Sequence, residues 1–259
     1  MKHTSLLKTI FLVATLFTIQ SYCQAWGSVG HKIVAKIAYS QLTAAEKDSL
    51  TKCLRGMTIE NASVWMDEIK SDKSYDFQKP WHYINIDKDS TFHPSDTGNI
   101  VWELTRVVDE LKHRQKYSKD KIETDMKILI HLMGDLHQPL HVGYGIDIGG
   151  NAISVYYTAN ATNLHHVWDT EIIKDGVLGQ PLDWSSTSQF SPEELAKIKH
   201  IDFAEWLNES RSKLNTVYDF KGDNLTQKYV NKNAPIVERQ LLLGGLRLAA
   251  VLKEILHSK

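Results

Sequence analysis

The chain of 259 residues is 42% hydrophobic and 24% charged, with a formal net charge of −1 at pH 7. That balance excludes an extended basic face gripping duplex DNA, because such binding is built from cations set against phosphates. Two cysteines exclude a disulfide-stapled scaffold, so stability has to come from a large apolar core and from metal where ligands allow it.

The first segment reads as a signal for export. Lys2 and Lys8 bracket the start of an apolar run over residues 10–19, and a polar segment ends in Cys23, Gln24 and Ala25. This pattern predicts a secretory signal peptide over residues 1–25, cut after Ala25. The run is too short for the ~20 residues of a membrane span. Bulky Tyr22 argues against lipid attachment at Cys23. Removing two lysines and no acid takes the net charge from −1 to −3 and leaves Cys53 as the remaining thiol. The expectation is a secreted or periplasmic monomer with no membrane anchor. Its Asn-x-Ser/Thr sequons at Asn61, Asn160, Asn208 and Asn224 matter only in a glycosylating host.

Cleavage makes Trp26 the first residue of WGSVGH. A freed α-amino group five residues before His31 can pinch a metal ion; equally, both residues can be the ends of a core helix. Residues 33–42 have helical period. Thr43 and Glu46 form a capping box for a second helix ending near Gly56. Residues 62–70 are helical and place Asp67 and Lys70 three apart, by default an i,i+3 ion pair. Residues 71–99 are polar and broken, and His82 between Trp81 and Tyr83 reads as a packing residue. Residues 99–114 and 119–137 are long amphipathic helices. Gly149-Gly150-Asn151, followed by alternating Ile153, Val155 and Tyr157, predicts one hairpin. Residues 163–175 return to helix, Ser191-Pro192-Glu193-Glu194 starts another, and 202–216 and 235–257 complete the set. Gly244 and Gly245 each cost about 1 kcal/mol relative to alanine, which signals close helix packing. The predicted fold is a single mainly α domain of many helices with a small β-hairpin.

Chemistry concentrates between residues 131 and 169. His131/Asp135 and His165/Asp169 are His-x3-Asp pairs, and residues four apart share a helix face at about 5–6 Å between Cβ atoms. Pro139 disfavours helix at Gln138, so His141 should come from the turn beyond. Five ligands of imidazole and carboxylate type suit zinc.

Taken together, Trp26, His31, Asp67, His82, His131, Asp135, His141, His165 and Asp169, with the words WGSVGH, WMDEIK, WHYIN, HLMGDLHQPLHV, GGN and NLHHVWD around them, resemble the S-one/P-one type zinc-dependent nucleases of the phospholipase C/nuclease superfamily. GGLRLAAVLKEIL looks like that family's closing helix, so the resemblance spans nearly all of residues 26–259. It implies three zinc ions at the bottom of a cleft. Asp67, His82, His131 and Asp135 would hold the first, and His141, His165 and Asp169 the second. The Trp26 amino nitrogen and carbonyl, His31 and a shared Asp135 would hold the third.

The resemblance also implies roles. Asp67 orients the attacking water, Lys70 neutralises charge at the reacting phosphorus, and Asp135 bridges two ions. Tyr83 stacks a base and Asn151 hydrogen-bonds it, with Asp87 a weaker candidate. Stacking requires an unpaired base, which favours single strands. His137 and His166 fall off the repeating face and read as supporting or surface residues; His93, His113, His200 and His257 read as solvent-facing. Ile148 stands where many relatives carry a polar or basic residue. The missing cysteine pairs look more like a bacterial secreted form than a plant or fungal one. The implied activity is hydrolysis of single-stranded RNA and DNA to 5′-mononucleotides, accompanied by 3′-nucleotidase activity. The rivals are a zinc-dependent phospholipase C, whose branch places Glu where this chain has Asp169, and a zinc-scavenging protein, which needs neither Lys70 nor Tyr83.

Overall fold

Side-chain caps set most of the helix starts. In the computed structural model, which describes residues 26–94, 97–178 and 187–258, α1 spans Ser28–Ser40, α2 Ala44–Cys53, α3 Ile59–Glu68, α4 Ile100–Lys112 and α5 Lys119–Asp135. The signal segment expected over residues 1–25 lies outside the described residues. Thr43 accepts from the Glu46 N–H, and the Glu46 carboxylate reaches back to the Thr43 N–H at 2.7 Å, the expected capping box. Thr58, Asn99 and Ser118 cap α3, α4 and α5 through their side-chain oxygens. The first helix begins five residues before the expected position, so His31 lies within it; Gly27 caps it without a side chain.

The later helices are α6 at Leu164–His166, α7 at Pro192–Lys199, α8 at Phe203–Arg211, α9 at Leu214–Val217 and α10 at Gln227–His257. Three expectations need correction. The single helix over 202–216 is two, α8 and α9. The last helix starts at Gln227 and passes through Pro235. A proline inside a helix costs ~3 kcal/mol, but buried Val230, Asn233, Ala234 and Val237 on both sides of it hold the segment in place. The helix after residue 163 keeps α geometry only over its first turn. It then widens to π-helix over Val167–Glu171 and Ile173–Val177.

The hairpin forms as expected from β1 at Ser154–Tyr157 and antiparallel β2 at Asn160–Asn163, with Val155 opposite Thr162. A third strand, β3 at Asn224–Leu225, pairs parallel to β1. Two residues are too few to display alternation, so this strand is invisible in the sequence.

Among these elements α5 packs against α3 and α4, and α1 against α3 and α10. Glycine permits two close approaches between these helices. A Cβ on Gly245 of α10 would fall 2.4 Å from the Ile37 Cβ on α1, and one on Gly134 of α5 would fall 2.6 Å from the His31 Nδ1. Trp26, Trp168 and Trp206 are fully buried in the core. Among the described residues no helix is long and apolar enough to cross a membrane.

Candidate metal centre

Helices α1, α3 and α5 converge on one group of imidazoles and carboxylates. His131 and Asp135 sit one turn apart on α5. The His131 Nδ1–H donates to the Ser63 carbonyl of α3 at 2.7 Å, which leaves a lone pair on Nε2. That nitrogen stands 3.3 Å from Asp135 Oδ2 and 3.8 Å from Asp67 Oδ1. His31 stacks on His131 with ring centroids 4.0 Å apart, which Gly134 makes room for. Its Nε2 lies 3.2 Å from Asp135 Oδ1. His82 ends a 3-10 run, Lys73–His82, and brings Nδ1 to 2.9 Å from Asp135 Oδ2. The two oxygens of Asp135 therefore face different histidines: Oδ1 toward His31, Oδ2 toward His82 and His131.

The second group is assembled from turns. Helix α5 ends at Asp135, and His141 comes from the 3-10 turn Pro139–Val142, as the proline requires. His141 donates Nδ1–H to the His82 carbonyl at 2.7 Å, and His165 donates Nδ1–H to the Gly149 carbonyl at 2.6 Å. The Gly149 position demands glycine, with φ +58° and an added Cβ only 2.3 Å from the Leu140 carbonyl oxygen. Asp169 sets Oδ2 3.4 Å from His165 Nε2 and accepts on Oδ1 from the Gln138 side chain at 2.7 Å. Gln138 in turn accepts the Leu140 N–H at 2.6 Å. One amide thus ties Asp169 to the turn bearing His141.

These contacts test whether a metal fits. With Nδ1 committed as donor on both rings, His141 and His165 carry lone pairs on Nε2. Those two nitrogens face each other at 3.0 Å while buried. Two acceptors repel at that distance, and a cation between them removes the conflict. Burial holds His141 neutral, with its pKa lowered to about 3, and His82 likewise at about 4. Both are therefore free of a competing proton near neutral pH. His31 Nδ1 is buried without a hydrogen-bond partner. The ligand atoms fall into three groups, His31/Asp67/His131, His82/His131/Asp135 and His141/His165/Asp169, within which they lie within 4.8 Å of one another. A donor set of this kind, imidazole and carboxylate without thiolate, fits zinc.

The charge balance is equally specific. Burial alone would raise Asp135, but the neighbouring His131, together with hydrogen bonds from His131 and His31, holds it well below the usual carboxylate range. His131 is raised: burial opposes this, and the Asp135 and Asp67 carboxylates overcome it. Lys70 reaches Asp67 Oδ1 at 2.5 Å, the i,i+3 pair anticipated from spacing.

Trp26 is fully buried, and the adjoining Gly27 N–H donates to the Asp169 carbonyl at 2.8 Å. Tyr83 is 37% exposed next to His82. Asn151 is half-buried and donates its side-chain amide to the Ile148 carbonyl at 2.9 Å. Ile148 is exposed and left-handed, at φ 56°. Asp87 is exposed on the same outward face as Tyr83, because burial alternates from residue 82 to 87 and the Ile84 and Ile86 N–H groups bond to the His141 and Gly143 carbonyls. That period-2 pattern is present in WHYINID and marks an extended segment that sequence reasoning passed over as loop. His137 is buried, donating to the Met133 carbonyl at 2.8 Å and accepting from Arg247 at 3.0 Å. His166, His93, His113, His200 and His257 are exposed. Gln138 and the carbonyls of Ser63 and Gly149 escaped sequence reasoning, since nothing local announces a contact made across the fold.

The S1/P1 nuclease family model matches residues 26–257. The chain is 30% identical to Endonuclease 4 of Arabidopsis thaliana, over 90% of each chain. It is 27% identical to Endonuclease 2 of the same plant, over 96% of this chain and 97% of the relative. To Nuclease S1 of Aspergillus oryzae it is 25% identical, over 92% and 94%.

Proposed function

As a member of the S1/P1 nuclease family the chain is a zinc-dependent endonuclease acting on single strands, and we propose that it works through three zinc ions, cutting single-stranded RNA and DNA to 5′-mononucleotides with accompanying 3′-nucleotidase activity. The observation that carries the reading is the pair of Nε2 lone pairs of His141 and His165 set 3.0 Å apart inside the protein, with the Asp135 carboxylate facing two histidine groups at once. Asp67, His82, His131 and Asp135 would hold the first ion, and His141, His165 and Asp169 the second. The processed Trp26, His31 and Asp135 would hold the third. Bound zinc supplies water with a pKa of about 7 and Lewis acidity toward a phosphate oxygen.

The chain's own groups do the rest. The Asp67 carboxylate, held by Lys70, accepts a hydrogen bond from the attacking water and aims it at phosphorus. The Lys70 ammonium faces the equatorial oxygens and offsets the charge that develops there. Tyr83, with an exposed ring beside His82, stacks the base next to the bond being cut, and Asn151 hydrogen-bonds its edge. A duplex keeps its bases stacked and paired, so only an unpaired strand can use Tyr83. Export follows from the signal segment over 1–25, with cleavage freeing the Trp26 amine, and the enzyme works as a monomer outside the cytoplasm.

The test uses N-terminally processed protein whose zinc content is measured alongside. It is incubated with single-stranded DNA, RNA and a phosphatidylcholine emulsion, each with and without chelator. Chelator-sensitive release of 5′-nucleotides with about three zincs per chain is the expected result. Lipid cleavage without nucleotide release would move the protein to the phospholipase branch. Tight zinc with no hydrolysis would reduce it to a metal-binding scaffold.

A further inference from the structure

We propose that Phe77, Trp81 and Trp102, with Arg106 set over the Trp81 ring, form a stacking track for nucleotides of a single-stranded substrate beyond the one held at the metal centre. The inference rests on the nuclease reading and extends it to residues outside the ligand set.

The 3-10 run Lys73–His82 is ten residues long, whereas such runs seldom exceed three or four. It ends on His82, so Trp81 and Tyr83 flank a candidate ligand directly. Trp81 is half-buried and its orientation is fixed from two sides. The Phe77 ring meets it edge-on with centroids 5.2 Å apart, and the Arg106 guanidinium lies 5.8 Å from its centroid. Trp102 lies one turn before Arg106 on the same face of α4, and the Ile100 N–H at the start of that helix bonds to the Tyr83 carbonyl at 3.4 Å. Phe77 is 60% exposed and Trp102 38%. Rings of this size would each bury 150–250 Å² in a core, so Phe77 and Trp102 exposed on the run that ends at His82 and on the helix bonded to Tyr83 call for an occupant.

Charge and continuity identify that occupant. Arg106 is already paired with Glu103 and Glu110, which makes it a fixed planar clamp on Trp81 and a poor free phosphate ligand. What the strip offers is ring faces, and the partner suited to a row of ring faces is a row of unpaired bases. The strip also begins at the residues flanking His82, where a strand undergoing cleavage has to pass. A lipid surface would find the same rings apolar, but it has no need of a clamped orientation or of a path leading to the metal ligands.

The test compares kcat and KM of processed, zinc-loaded protein on unpaired DNA of two and of about twelve nucleotides. Variants are Phe77→Ala, Trp102→Ala and Phe77→Tyr, the last retaining a ring. Loss of one stacked base, at about 1–3 kcal/mol, corresponds to a roughly fivefold to hundredfold change. The alanine variants should therefore lose at least about fivefold of the long substrate's KM advantage over the dinucleotide, and Phe77→Tyr should recover it. The loss should persist at high salt, because stacking is not a phosphate contact. A parent protein that cuts both lengths, with variants keeping the same KM ratio, overturns the track alone. A parent that cuts neither overturns the nuclease reading and the track with it. Variants that lose binding to phosphatidylcholine vesicles while keeping the KM ratio would reassign the strip to a lipid surface.

Discussion

The two halves of the candidate metal centre are built from the same types of donor residue by different means. His31, Asp67, His131 and Asp135 stand on α1, α3 and α5, and the packing of those helices sets their spacing. His141, His165 and Asp169 come from a 3-10 turn, a single α turn and a π-helical stretch. There, backbone carbonyls of His82 and Gly149 and the Gln138 amide supply the orientation. The helical half is also rich in charge, with Asp67 paired to Lys70 and both Asp67 and Asp135 facing His131, whereas the turn half has one carboxylate. A rigid helical frame tolerates close packing of like groups, such as the stacked His31 and His131 rings, because the backbone cannot relax apart. Turn-borne ligands lack that frame, so each needs its own hydrogen bond to hold direction.

The comparison predicts a graded set of responses. Chelation should act most strongly, because it would remove the cations proposed for both halves. At a thousandfold excess over Kd, ligand binding contributes about 4 kcal/mol, so calorimetry on stripped protein should show a Tm lower by roughly 10 °C. An unchanged Tm would mean that neither half closes on metal. Next comes Asp135→Asn, which removes the one carboxylate facing both His31 and His82. Activity should fall by at least ~10²-fold, with two ions released together in a metal titration; retention of three tight ions would sink the bridging role.

Gly134→Ala should affect the helical half alone. Its Cβ would meet His31 at 2.6 Å, and overpacking of this kind costs about 1–3 kcal/mol, measurable by urea unfolding. Metal at the His141/His165/Asp169 group should remain. The smallest expected effect is Gln138→Leu, which cuts the tie between Asp169 and the His141 turn. Zinc affinity at the turn half should drop by about 10–100-fold while the helical half keeps its metal. Equal loss from both halves would mean that the two are not independently supported.

Much of this was legible residue by residue. The capping boxes at Thr43/Glu46 and Ser191/Glu194 form as their spacing requires, because a cap is a contact within one turn. Pro139 ends the helical run before His141 for an equally local reason. The Asp67–Lys70 pair forms at its i,i+3 spacing. What the sequence hid is non-local or contrary to propensity. Pro235 lies within α10 because burial of Val230, Asn233, Ala234 and Val237 on both sides of it outweighs its helix cost. β3 exists only because β1 is there to pair with. The π-winding after Val167 has no local signal, yet it leaves the Asp169 carbonyl in position to accept the Gly27 N–H.

The sequence by itself determined which atoms are available to a metal, which segments are helical, and that the ligand residues follow one another in an order resembling a known nuclease family. Ligand identity is covalent, and helical period and caps act over a few residues, so both survive in one dimension. Tertiary structure alone decided the rest. It turned the two oxygens of Asp135 toward different histidines, aimed His141 and His165 at each other through carbonyls far away in sequence, and laid Trp81 against Arg106. Those relations are distances between segments, and they come into being when the helices pack.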